Sequence, residues 1–209
     1  MNRKWIEEQL NFLFARFKDY YPSSRNFFFE PTQETYVGLE SGDEKDLNFV
    51  VSKISQHIGL SEAPLAKYDW SIKLGYHIAG QAIIDRKNQI NIVRVPFKFV
   101  GNYYAIGSII AHEMSHFFLF SKELVLNDEV ENEKLTDLMS VFLGLGKLML
   151  NGKVLCFQGA DFFEEIGYIP FDLILYAYII VCKQRKISFE YATTNLKPEV
   201  VAKLKTAYY

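Results

Sequence analysis

From Ala105 to Leu124 the chain is apolar on nearly every face of a helical projection, apart from His112, Glu113 and His116. A helix without a polar face has to be buried, so the rest of the chain must wrap around this one. The material for that is present: 209 residues, 49% hydrophobic and 16% aromatic, read as one ordinary domain spanning residues 1–209 and exclude a disordered or fibrous chain. Charge is balanced, with 23 Lys plus Arg against 25 Asp plus Glu for a net of -2. No global basic field invites nucleic acid or an anionic membrane, so neither is expected as a partner.

Around that helix the texture changes along the chain. An N-terminal helical part, residues 1–60, holds an amphipathic helix over residues 3–20 and a second one carrying Leu47, Val50, Val51, Ile54 and Ile58, stopped by Gly59. Between them, Glu40 to Asp46 is the most linker-like stretch. Residues 68–96 are β-branched and aromatic, with a polar turn at Asp85 to Asn88, and predict a hairpin in a small antiparallel sheet whose edge strand ends at Pro96. The region 105–150 reads as a helical hairpin, its second helix running from Asn127 to Leu150, with Gly144 and Gly146 allowing close packing. Residues 160–209 hold C-terminal helices starting at Pro170 and Pro198. Strands in the middle with helices around them make an α+β domain, a small antiparallel sheet packed against a mostly helical body.

Two cysteines, Cys156 and Cys182, cannot build a disulfide framework. Charged residues scattered through the first 26 positions leave no apolar core for a signal peptide. The longest lipid-like stretches fall far short of the roughly 20 residues that span a bilayer. The expectation is a soluble, cytoplasmic protein.

His112-Glu113-Met114-Ser115-His116 is an H-E-x-x-H sequence on the buried helix. Residues four apart share a helix face, so both imidazoles can bind one zinc ion while Glu113 sits beside the metal's open position. The competing reading is two core histidines with hydrogen-bond partners. Such a pair without a metal leaves polar groups to be satisfied in an apolar environment, and nearby carboxylates at matching positions favour the metal.

Only four histidines occur, and none follows His116, so the third ligand has to be a carboxylate. Two helices joined by a short connection near Glu123 to Leu126 should run antiparallel, which brings residues equidistant from the turn level with each other. On that register Glu133 lies level with His116 and Asp137 with His112. Glu133 then completes a His2Glu site, with Glu131 as runner-up, and Asp137 accepts the free ring N–H of His112. The neighbouring acids Asp128 and Glu129 suit a solvated helix N-terminus. His57 and His77 have no partner at ligand spacing and read as structural or surface residues.

With Asn132-Glu133-Lys134-Leu135-Thr136-Asp137 following the H-E-x-x-H helix, residues 106–145 resemble the gluzincins, the thermolysin-like zinc peptidases whose second helix carries N-E-x-x-S-D. Thr136 stands where that motif has Ser. The resemblance implies a zinc metalloendopeptidase with one Zn2+ per chain, Glu113 as general base, and a sheet edge that aligns a peptide or protein substrate in extended conformation. It also implies a downstream His or Tyr that stabilises the oxyanion; here the donor has to be Tyr168, Tyr176, Tyr178 or a basic residue. The missing downstream histidine supports an alternative, a zinc-binding regulatory or interaction module that keeps the fold with little or no turnover.

Overall fold

The computed structural model describes residues 1–20, 22, 26–30, 32–71, 80–85, 87–88, 90–153 and 166–208. His77 and Cys156 lie outside the described residues, as do the first six positions of the C-terminal helical region. The described elements, in chain order, are α1 (Arg3–Arg16), α2 (Gln33–Glu40), α3 (Glu44–Ile58), β1 (Leu65–Asp69), β2 (Gln81–Asp85), β3 (Ile90–Pro96), α4 (Tyr103–Ser121), α5 (Glu129–Phe142), α6 (Gly146–Lys153), α7 (Phe171–Gln184), α8 (Phe189–Thr193) and α9 (Pro198–Tyr208). This is an α+β architecture, mostly helical with one small sheet.

Helix α4 is the hub, packed by α2, α3, α5, α6 and the sheet. Its start is fixed by Asn102, whose side chain accepts the Ala105 N–H at 3.1 Å and so satisfies one of the unpaired donors of the first turn. Ile106, Ile110, Phe118 and Leu119 are at most 1% exposed. Each such side chain contributes about 1.5–3 kcal/mol through burial. Helix α5 is capped in the same way, the Asp128 carboxylate accepting the Glu131 N–H at 2.8 Å.

The expected continuous helix over residues 127–150 is two helices. Gly144 adopts φ +86°, and a Cβ on it would lie 2.1 Å from the Phe27 carbonyl oxygen, so only glycine fits. Apolar periodicity runs on through the break because both α5 and α6 are buried, which is why the sequence pattern conceals it. The kink turns α6 back along α4, with a Cβ at Gly107 only 3.3 Å from Leu148.

The sheet has the order β1-β3-β2 and is mixed, where an antiparallel one was expected. Strand β2 pairs antiparallel with β3 through Gln81↔Arg94 to Asp85↔Ile90, and β1 pairs parallel with β3 through Leu65↔Ile92 to Asp69↔Pro96. β3 is therefore central, not an edge. Val93 and Val95 bury their side chains from it, and Pro96 is tolerated because it is the last residue of the strand. Local patterning predicts the β2–β3 hairpin, whereas the partner of β1 is set by α3, which packs against it.

No described helix is long and apolar enough to cross a membrane.

Candidate metal centre

α4 and α5 run antiparallel, tied at several levels. The Ser140 hydroxyl donates to the Ala111 carbonyl at 3.1 Å and lies 2.8 Å from Ser115 Oγ, so small side chains let the two helices approach closely. One turn along, the same register brings His112 and His116 of α4 against Glu133 and Asp137 of α5. His112 Nε2 lies 2.9 Å from Glu133 Oε2, His116 Nε2 lies 3.2 Å from it, and the two Nε2 atoms are 3.1 Å apart. These three residues are the group among the described residues that could hold a metal ion. Glu131, the other carboxylate considered, is engaged elsewhere: it accepts from Trp5 Nε1 at 3.1 Å and from Lys134 Nζ at 2.6 Å.

The ring orientations follow from the outer nitrogens. His112 Nδ1–H donates to Asp137 Oδ1 at 2.8 Å. Thr136 Oγ1 donates its proton to the Asn132 carbonyl at 2.8 Å, so it accepts from His116 Nδ1–H at 3.2 Å. With a proton on each Nδ1, both Nε2 lone pairs face one another and the Glu133 carboxylate. Three acceptors at 2.9–3.2 Å need a cation or a proton between them. Tetrahedral ligands bound at about 2.0–2.1 Å lie about 3.3 Å apart, and the donor set of two imidazoles and a carboxylate suits zinc.

A proton takes that place when no metal does. Burial disfavours a charged His112, but the hydrogen bonds to Asp137 and Glu133 overcome it and lift its pKa to about 10. Burial likewise opposes the charge on Glu133, yet the bonds from His112 and His116 hold its carboxyl down to about 2. Asp137, buried on every side, is also opposed by desolvation and is held below the usual carboxylate range by Lys153 and His112.

A cleft of about 400 Å³ opens over the His112, His116 and Glu133 side chains, bounded by α4, α5, the Gly80–Ile84 stretch and the segment 166–168. Glu113 lines it while only 4% exposed, and desolvation raises its pKa. The Ala82 N–H of β2 donates to its carboxylate. A Cβ on Gly80 would fall 2.6 Å from Glu113 Oε1, so glycine is what lets this strand approach the acid.

The three tyrosines separate cleanly. Tyr168 lines the cleft and stacks on His112, with ring centroids 5.9 Å apart at 22°. Burial and the surrounding carboxylates Glu133, Glu113 and Asp137 push its phenol up to about 12. The other two are corrected by the structure, because both lie on α7, on the far side of α5. The Tyr176 hydroxyl donates to Glu7 on α1, and the Tyr178 hydroxyl, fully buried, donates to the Ala192 carbonyl at 2.7 Å. Neither lines the cleft, and among the described residues no Lys or Arg side chain does. His57 is a buried core residue whose desolvation lowers its pKa to about 4.

Sequence reasoning missed Gly80, Ala82 and Lys153. Lys153, at the end of α6, has no exposed side-chain surface and lies 3.7 Å from Asp137 Oδ2. Its helix also buries Lys147 and Asn151, so no local pattern singles Lys153 out in the sequence. Compared with protein-family models, curated proteins and solved structures, the chain matches none.

Proposed function

We propose that the chain is a zinc-dependent metallopeptidase of gluzincin type that hydrolyses peptide bonds in extended substrates. The observation that carries this reading is the convergence of His112 Nε2, His116 Nε2 and Glu133 Oε2 within 3.2 Å of one another, with both outer ring nitrogens already committed. Zinc there supplies Lewis acidity, polarising a carbonyl and bringing the pKa of a water toward 7.

The chain's own residues divide the remaining work. His112, His116 and Glu133 hold the ion, and Asp137 and Thr136 fix the two ring tautomers. Glu113, one residue from His112 and oriented by the Ala82 N–H, takes a proton from the attacking water and delivers it to the leaving amine. At neutral pH a carboxylate whose pKa is raised by desolvation is a stronger proton acceptor than an ordinary one. Tyr168 keeps its phenolic proton at that pH, because its pKa is about 12, and can donate to the carbonyl oxygen as charge develops on it.

The edge of β2 supports an extended substrate. Main-chain groups alternate in direction along a strand, so if Ala82 N–H points away from β3 toward Glu113, the main chain of Ile84 faces the same way. Among the described residues nothing hydrogen-bonds the outward groups of Ile84, and Ala82 and Ile84 both line the cleft. A peptide laid along that edge gains main-chain hydrogen bonds and passes over the ligand atoms.

Purified protein should contain close to one zinc per chain, lost in His116→Ala and Glu133→Ala. A diverse peptide library should be cleaved by the wild type and not by Glu113→Gln. A stable, metal-free wild type would overturn the centre; intact zinc with no cleavage by either form would leave a metal-binding regulatory module in place of an enzyme.

A further inference from the structure

The Asp137 carboxylate serves two parts of the molecule at once. Oδ1 accepts His112 Nδ1–H at 2.8 Å, and Oδ2 accepts the main-chain N–H groups of Tyr168 at 2.7 Å and Ile169 at 2.8 Å. A carboxylate with no exposed area needs a cation close by, and Lys153 Nζ is 3.7 Å from Oδ2. The same ammonium donates to the Ile166 carbonyl, at the start of the segment that carries Tyr168. Gly167 sits between them at φ +89°, where a Cβ would fall 2.8 Å from both Asp137 Oδ2 and Lys153 Nζ. One lysine therefore joins the end of α6, the middle of α5 and the 166–169 wall of the cleft.

We propose that Lys153 is a positioning residue for the metal centre: by gripping Asp137 and the Ile166 carbonyl together, it fixes the pose of His112 and seats the Tyr168 ring against it. It touches neither the ligand atoms nor the space above them, and acts through Asp137. Its positive charge offsets the negative charge of Asp137 locally. The His112 half of the inference rests on the metallopeptidase reading; the seating of Tyr168 does not.

Two variants test it by different routes. Lys153→Met keeps the apolar stem and removes the charge, whereas Gly167→Ala keeps the lysine and forces the segment off Asp137. Outer-sphere partners of zinc ligands typically contribute about 10–100-fold in affinity, so both variants should bind zinc weaker by about that factor in chelator competition. Both should shift the visible absorption of the Co2+-substituted protein, and Lys153→Arg should recover part of the loss. In the metal-free protein, amide hydrogen exchange at Tyr168 and Ile169 should quicken about tenfold or more in both variants, as their acceptor moves. Wild-type exchange at those two amides would overturn the seating of Tyr168. A folded variant with lower thermal stability but an unmoved Co2+ band would show a merely structural lysine and overturn the His112 half. If the wild type binds no zinc, the metallopeptidase reading and the His112 half fail together, and the exchange data still decide the other half. If Lys153→Met does not fold, Gly167→Ala carries the same measurements.

Discussion

At one edge of the sheet, Asn48 of α3 accepts the Ala66 N–H at 2.7 Å and donates to the Ala66 carbonyl at 2.8 Å, and Glu44 accepts the Tyr68 N–H at 3.1 Å. At the other edge, the Ala82 N–H goes to Glu113, and the outward groups of Ile84 have no hydrogen-bond partner among the described residues. An unpaired strand edge is a template for another chain, and folds ordinarily close it. Here α3 closes β1 with side chains while β2 borders the cleft. Among the described residues, then, the fold seals the β1 edge with side chains of α3 and leaves the β2 edge, beside the candidate centre, open.

The largest expected effect lies at the open edge. Glu113→Gln removes the acid–base group while keeping its shape, and should lower peptide cleavage by about 10²–10⁴-fold at unchanged zinc content. Comparable turnover in this variant would remove Glu113 from the mechanism.

The sealed edge should respond in stability instead. Asn48→Ala leaves both main-chain groups of Ala66 unmatched, which should cost about 1–3 kcal/mol and lower Tm by several degrees. Cleavage at 25 °C should stay near wild type, and light scattering should show concentration-dependent association through the bared strand. A fall in cleavage at unchanged Tm would reverse the roles assigned to the two edges.

Acidity sharpens the contrast, because only the open edge ends on titrating groups that compete with a metal. His112 lies above its ordinary value in the metal-free site, so its proton stabilises that state fully below pH about 6.5, and the contribution is lost as pH rises through about 10. On the proposed reading, zinc would displace the same proton. Apparent zinc affinity should rise with pH across the neutral range, by about tenfold per unit for each proton displaced. Calorimetry at neutral pH in buffers of different ionisation enthalpy should count about one proton released; a pH-independent affinity contradicts the geometry.

The smallest effect isolates one main-chain donor. Ile84→Pro deletes the outward N–H without touching the β3 ladder, and should raise KM by about 3–10-fold at nearly constant kcat, the worth of one hydrogen bond. Ile83→Pro, whose N–H faces β3, should unfold the hairpin instead. Equal behaviour of the two would show that the strand does not alternate as described.

The candidate centre was more legible than the fold that carries it. His112, His116, Glu133 and Asp137 could be grouped because helix periodicity and an antiparallel turn are local rules, and they suffice to set four side chains level. The choice among Tyr168, Tyr176 and Tyr178 depends on how α7 packs, which no local rule fixes. The parallel pairing of β1 was hidden for a similar reason, since its partner lies far along the chain. Gly144 was read as a packing glycine, because a left-handed residue between two buried helices interrupts no apolar pattern. Lys153 was invisible for the opposite reason: its burial makes sense only once Asp137 and Ile166 are beside it.

Trp5 is one of only two tryptophans in the chain, and its indole N–H is bonded to Glu131, two residues before Glu133 on the same helix. The other, Trp70, is 78% exposed and stacks on Phe97 just past the ends of β1 and β3. The molecule therefore carries a built-in pair of optical probes. If the proposed centre takes up zinc, the emission of Trp5 should report the change in the first turns of α5, with the red-shifted emission of Trp70 as an internal reference, so that occupancy is followed without a label.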